Sequence, residues 1–262
     1  MSGFSLRRRH ALFALLALAG APLPRVSAAE PATLLVMAGA GYKRPVEALC
    51  AAFTRETGIV VERSYGNLQQ IFAQVRASGR VDVLLGDADF IDHARDLSLP
   101  QRMPIGPGKL VLAWRRNLPS RGGPDPLQDP VRDLPEMQSI AIPNPEQAIY
   151  GRAAQQWLRA KGLWNTLQDK LKIVQTVPQV SAYLTSGHID AGFMNLTEAL
   201  AVKEQLGGYV ELKPGPDSYQ PIEIVAATPR PDQHPATAAA RERFATFLHS
   251  PQAKTILRDA GL

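Results

Sequence analysis

Between Thr33 and Leu262 the apolar positions switch repeatedly between a short continuous run and a spacing of three and four. "TLLVM" (33–37) is a buried-strand run, and Val46, Leu49, Cys50 and Phe53 after it share one helix face. Pro45 suits the first turn of that helix and Gly58 its C-terminal cap. "IVVERSY" (59–65) opens the next unit, with Leu68, Ile71, Phe72 and Val75 on one face and Gly79 closing it. "VDVLLG" (81–86) predicts a third strand. Strand, helix and strand at this spacing predict right-handed crossovers and a parallel sheet covered on both sides.

From Lys109 the pattern changes. "KLVLAW" (109–114) predicts a strand, and a Pro- and Gly-rich surface loop, "NLPSRGGPDPLQDP" (117–130), follows it. A second set then runs through "SIAI" (139–142), a helix near Tyr150–Lys161, "KIV" (172–174), a helix near Gln179–Ser186 and "IDAGFM" (189–194). "IEIVAA" (222–227) is a further strand, and two helices close the chain. The order predicts an α/β chain of two lobes, each a mainly parallel sheet flanked by helices. Residues 30–111 and 223–262 form lobe 1 and residues 112–222 form lobe 2. A two-segment hinge near Lys109–Trp114 and Ile222–Ala227 joins them.

The N-terminus reads as a signal peptide over residues 1–29. Arg7, Arg8, Arg9 and His10 form a basic region, Ala11–Ala21 is apolar, and Val26–Ala29 supplies small residues for cleavage. The apolar run is too short, and too interrupted by Pro22 and Pro24, to span a bilayer. Export through the general or the twin-arginine route is therefore expected, with a periplasmic destination. This segment holds four arginines and no acid, so removing it takes the net charge from +5 to near +1. The basic balance then implies no nucleic-acid face. The single cysteine, Cys50, has no disulfide partner and sits on an apolar helix face, as a small buried hydrophobe would.

Helix N-termini gather at the carboxyl edge of a parallel sheet, where ligands bind. Each offers unpaired N–H groups and about half a positive charge, which suits an anion. Four strand-to-helix junctions are candidates: Ala40-Gly41-Tyr42, Gly66-Asn67-Leu68-Gln69, Ala148-Ile149-Tyr150-Gly151 and Pro178-Gln179-Val180. Two belong to each lobe, which places an anion between them. "GAGYKRP" lacks the third glycine of a dinucleotide fingerprint and the lysine of a phosphate-binding loop. Signatures of catalysis are poor. There is no H-E-x-x-H, C-x-x-C or G-x-S-x-G, and Ser181 with His188 has no evident carboxylate to orient it. Asp87, Asp89 and Asp92 read as a solvated loop after a strand, and Asp82 and Asp190 as strand starts.

Taken in order, "MAGAGYKRPVEALCAAFTRETGIVVERSYGN", "VDVLLGDAD", "YGRAAQQWLRAKGLW" and "VPQVSAYLTSGHIDAGFM" resemble the periplasmic molybdate-binding proteins of ABC importers. The likeness runs from Thr33 to the closing "SPQAKTILRDAGL". It implies a type II periplasmic binding protein, with two α/β lobes, a hinge and a dehydrated oxyanion in the cleft. It also implies a monomer that serves a permease in the inner membrane, with no cofactor, no catalytic residue and no directly ligated metal cation. Carried over by position, the first serine contact of the family falls on Gly41, between Ala40 and Tyr42. The second falls on Asn67-Leu68-Gln69, the amide of the third helix on Tyr150 with Gly151 beside it, the amide of the fourth on Val180, and a tyrosine contact on Asn195. The hydroxyls of the family are thus replaced while the amide-bearing turns remain. Molybdate or tungstate is the expected ligand, with another oxyanion, an organic acid or ferric iron as alternatives on the same fold. A small exported α/β hydrolase is the alternative from another class. Related proteins that hold iron use adjacent tyrosines, whereas Tyr42, Tyr65 and Tyr150 are separate here. Tyr42 and Tyr150 are expected to close over the ligand from opposite lobes.

Overall fold

The computed structural model describes residues 33–94, 96–119, 127 and 129–262. The segment expected to be a signal peptide, residues 1–29, and most of the 117–130 loop lie outside these residues. Strand β1 (Leu34–Gly39) passes through a short 3-10 turn, Ala40–Tyr42, into helix α1 (Lys43–Thr57). Gly58 ends that helix at φ 74°, a left-handed conformation that costs glycine least. Strand β2 (Val61–Gly66), helix α2 (Leu68–Ser78), strand β3 (Val83–Asp87) and helix α3 (Ala88–His93) follow, and then strand β4 (Gln101–Gly108). Asn67 caps α2 by accepting from Gln70 N at 2.9 Å, while Gln70 Oε1 accepts from Asn67 N at 3.1 Å. That reciprocal pair fixes where the helix begins.

After the single residue Lys109 the chain enters a second sheet. It comprises β5 (Leu110–Arg115), the short helix α4 (Pro130–Asp133), β6 (Ile140–Pro143), α5 (Ile149–Ala160), β7 (Leu171–Val174), α6 (Val177–Thr185), β8 (Ala191–Asn195), α7 (Leu196–Val202) and β9 (Leu206–Leu212). The chain then returns through β10 (Ile222–Thr228) to the first sheet, and helices α8 (Pro235–Leu248) and α9 (Pro251–Asp259) pack there. The sheet orders are β2-β1-β3-β10-β4 and β7-β6-β8-β5-β9. The two-lobe α/β architecture is thus present, but each sheet is mixed. In each sheet three neighbouring strands are parallel, and one strand, β10 in the first sheet and β5 in the second, is antiparallel to both of its neighbours. A strand that returns from the other lobe enters in the reverse direction, and this sets the mixture.

Four elements carry no clear periodic signal in the sequence. Strand β4 holds Pro104 and Pro107 and lies on an edge, where a missing N–H is tolerated. Strand β9 is also an edge, and its Gly207 and Gly208 leave room for Trp114; a Cβ on Gly208 would lie 2.4 Å from the indole. Helices α3 and α7 are only six and seven residues long. In the first lobe Phe53 of α1 stacks edge-on against Phe244 of α8, with ring centroids 5.0 Å apart. Asp82, at the start of β3, accepts from Leu35 N at 2.8 Å and pairs with buried Arg241 of α8 at 3.3 Å, joined by Thr237. This network ties the C-terminal helices back onto β1 and β3. At the second crossing the buried Tyr219 hydroxyl donates to Leu212 O at 2.8 Å and accepts from Leu110 N at 3.3 Å. No helix among the described residues is long and apolar enough to cross a membrane.

Candidate functional site

The two lobes meet at a cleft lined by Gly39–Tyr42, Gly66–Leu68, Ala148–Tyr150 and Thr176–Val177. These are four helix beginnings, two from each lobe. The first N–H groups of a helix have no partner within it. At α5 the N-cap is Ala148, which offers no side-chain cap, so Ile149 and Tyr150 N–H remain for a ligand. At α2 the Asn67 cap takes Gln70 N, leaving the Leu68 amide beside the cavity. At α6 Pro178 has no N–H and Gln179 N bonds Thr176 O at 3.2 Å, which leaves Val177 N. The cavity holds about 30 Å³. That is room for about two waters, and it lies far below the roughly 300–1,000 Å³ of pockets for drug-sized ligands. None of its lining residues is charged.

Side chains bridge the lobes around this cavity. The hydroxyls of Tyr42 and Tyr150 hydrogen-bond to each other, with ring centroids 6.2 Å apart. Burial pushes both phenol pKa values above the ordinary tyrosine value, and for Tyr42 the neighbouring Tyr150 adds to it. Both therefore stay neutral at physiological pH, one donating its proton to the other. Gly108 at the first crossing admits the Tyr150 hydroxyl, since a Cβ there would lie 2.6 Å from it. Asn195 Nδ2 donates to Gly41 O at 3.0 Å, and Asn67 Nδ2 donates to Gln147 Oε1 at 3.2 Å. Arg152 of α5 reaches Asp87 at 3.0 Å and Asp89 at 2.7 Å in the first lobe.

The residues that the sequence singles out separate into three groups. Ala40, Gly41, Tyr42, Asn67, Leu68 and Tyr150 line the cavity. Asn195 stands behind it, buried, and would meet any Cβ on Gly41 at 3.1 Å. Gln69, Gly151 and Val180 do not line it. Gln69 is exposed on α2. Gly151 is there for packing, since a Cβ would lie 2.2 Å from Pro143 O. Val180 packs over Gly192, because α6 begins a turn earlier, at Val177. Gly39, just before the first junction, also lines the cavity, and Thr176 and Val177 are the lining residues at the start of α6 that the sequence reading missed. A threonine two residues before a proline is the helix-start signal that marks them.

The remaining chemistry-bearing residues are structural. Ser181 Oγ donates to Glu198 at 2.6 Å and to Pro178 O at 3.0 Å, while His188 contacts Ser186, so Ser181 and His188 form no dyad. Asp87 is not solvated as the sequence suggests. It is buried, caps α3 by accepting from Phe90 N at 3.0 Å, and has its carboxyl pKa pushed up by desolvation. Asp190 holds Arg115 at 3.0 Å at the start of β8. No cluster of three or more His, Cys, Asp or Glu residues suited to a metal occurs among the described residues.

The family model for bacterial extracellular solute-binding proteins matches residues 34–262. The chain belongs to that family. This solute-binding protein is 27% identical to the molybdate-binding protein of Rhodobacter capsulatus, over all of this chain and 98% of the relative. Its fold is that of the periplasmic molybdate-binding protein of Azotobacter vinelandii, with a TM-score of 0.72 and 26% identity over 87% of this chain and 97% of the other. A periplasmic thiamin-binding protein superposes at 0.67 with 14% identity, over 87% and 81% of the two chains, a likeness of fold alone. The type II periplasmic-binding architecture is therefore shared by proteins with unlike ligands, and the ligand must be argued from the cleft.

Proposed function

We propose that this protein captures a small dehydrated oxyanion of the molybdate and tungstate class between its lobes and delivers it to an ABC permease in the inner membrane. One observation carries the reading: the cleft is a cavity of about 30 Å³ with no charged lining residue, faced by four helix beginnings. Helix-end amides stabilise an anion through fixed dipoles and need no countercharge. A hydrogen bond to a charged group contributes about 1.5–3 kcal/mol, so several amides suffice for tight binding. Because the Tyr42 and Tyr150 hydroxyls bond each other, the pair leaves one O–H as a further donor beside the amides. Small volume argues against an organic acid of any length in this arrangement. The lining argues against ferric iron, which takes anionic oxygen ligands, because it holds no carboxylate and its two tyrosine hydroxyls are bonded to each other. The molybdate-binding relatives support the same class. Holding the anion requires no bond to be made or broken. The protein acts in the periplasm as a monomer, after loss of its leader.

Thermal denaturation of the chain lacking residues 1–29, against molybdate, tungstate, sulfate, phosphate and a panel of organic acids, tests the proposal. A ligand of the folded state stabilises by about 2.7 kcal/mol at a hundredfold excess over Kd. Molybdate or tungstate is expected to raise the melting temperature most. An unmoved temperature with all four inorganic anions, or a larger shift with an organic acid, overturns the oxyanion assignment.

A further inference from the structure

We propose that Arg152 is the positioning residue that holds the lobes shut, acting as a two-pronged clamp on Asp87 and Asp89. Its backbone sits in the first turn of α5, two residues after Tyr150, so the turn that presents amides to the cavity also carries the clamp. Its side chain crosses to the other lobe. One guanidinium nitrogen lies 3.0 Å from Asp87 Oδ1 and another 2.7 Å from Asp89 Oδ2. The guanidinium also lies flat enough on α3 to sit 4.0 Å from the centroid of Phe90. Charge-assisted bonds in a planar fork and stacking on an aromatic face are the arrangements in which arginine is hard to replace.

Three features separate this from an ordinary surface ion pair. Asp87 is buried, and it caps α3, so its position is fixed. Asp87 and Asp89 are like charges two residues apart, and desolvation together with Asp89 makes ionised Asp87 costly, which Arg152 offsets. Arg152 itself is only 31% exposed. The other cross-lobe ion pair among the described residues, Arg44 with Glu198, is looser at 3.6 Å, and its arginine is 58% exposed. When the lobes part, Arg152 leaves two carboxylates without their countercharge. That cost opposes opening whatever ligand the cleft holds. It also lowers the apparent Kd of any ligand that binds the closed arrangement, in proportion to the closed population.

The test uses the chain without residues 1–29, labelled with spin probes at Val60→Cys and Ile173→Cys, two exposed positions just before β2 and on β7, in a Cys50→Ser background. Distances are measured without added anion and with molybdate, and each variant is checked by circular dichroism. Arg152→Met is expected to shift the anion-free distribution toward an open population. Its Kd for molybdate should weaken by about ten- to a hundredfold, the range for removing one member of a partly buried pair. Arg152→Lys keeps the charge without the fork and should fall between. Asp89→Asn, at a half-exposed carboxylate that folding tolerates, should weaken binding by about two- to fivefold. The clamp rests on the closed arrangement of a solute-binding protein, and only its affinity arm rests on the oxyanion reading. If molybdate fails to bind the parent, the distances alone decide. Parent-like distances in both Arg152→Met and Asp89→Asn overturn the proposal.

Discussion

Asn195 makes two bonds of different kinds, and substitution can separate them. Its Oδ1 accepts from Glu198 N at 3.2 Å and caps α7, while its Nδ2 donates across the cleft to Gly41 O at 3.0 Å. Asn195→Asp keeps the cap, since aspartate caps as well as asparagine. It removes the donor and sets a carboxylate against the Gly41 carbonyl and beside the anion cavity. A buried acceptor left without its donor costs about 1–3 kcal/mol, which is roughly five- to a hundredfold in affinity. Asn195→Ala loses the cap as well, adding about 1 kcal/mol to the cost in folding stability. Calorimetric titration with molybdate at pH 8, alongside thermal denaturation, reads the two effects. The expected pattern is a near-parental melting temperature with weakened binding for Asn195→Asp, and losses in both for Asn195→Ala. Asn195→Asp that binds like the parent refutes the cross-lobe role and leaves Asn195 a helix cap only.

Arg241→Met should destabilise the first lobe by about 3–5 kcal/mol, because it strands buried Asp82; urea denaturation followed by circular dichroism measures it. Tyr42 and Tyr150 hold their protons more tightly in the folded protein than when unfolded. Their contribution is therefore fully present below the ordinary tyrosine pKa of about 10 and is lost as pH rises through the raised folded values. Absorbance at 295 nm should show Tyr42 and Tyr150, together with Tyr65 and Tyr219, whose phenols burial also pushes up, ionising only late, with alkaline unfolding; titration of Tyr42 and Tyr150 with the exposed tyrosines would contradict their burial. Burial pushes the Cys50 thiol up to about 12, so a thiol reagent at pH 8 should react only at the rate of unfolding, and prompt reaction in the native protein would argue otherwise.

Most of the first lobe is legible in the sequence because β1, α1, β2, α2 and β3 are long enough to show their period, and Gly58 and Gly79 mark the helix ends. Edge strands are not legible. Met103, Ile105 and the prolines of β4 give neither an alternating nor a continuous apolar run, since the strand has one partner and little to bury. For the cleft, Gly41 and Asn67 stand out as turn and cap residues. The start of α6 is read near Gln179, two residues late, because Pro178 reads as the boundary although it occupies the second helical position. What holds the cleft together is readable only in part: Tyr42 and Tyr150 are expected on opposite lobes, but their bond to each other, and that of Asn195 to Gly41, are not. Tyr42 and Tyr150 are 108 residues apart, and Gly41 and Asn195 are 154 apart, so only the closed fold makes them neighbours. Asn195 illustrates the limit: resemblance places it on the ligand, whereas its bonds run to the backbone of the opposite lobe and to its own helix.

The central claim is that helix beginnings from both lobes hold a compact oxyanion in the cleft. Anomalous X-ray scattering at the molybdenum edge, from crystals of the chain without residues 1–29 grown with saturating molybdate, tests it most directly. The account predicts one strong peak inside the cavity, within hydrogen-bond reach of the amides at Gly41, Leu68, Ile149 or Tyr150, and Val177. An empty cavity in those crystals, or peaks only on the outer surface, contradicts it.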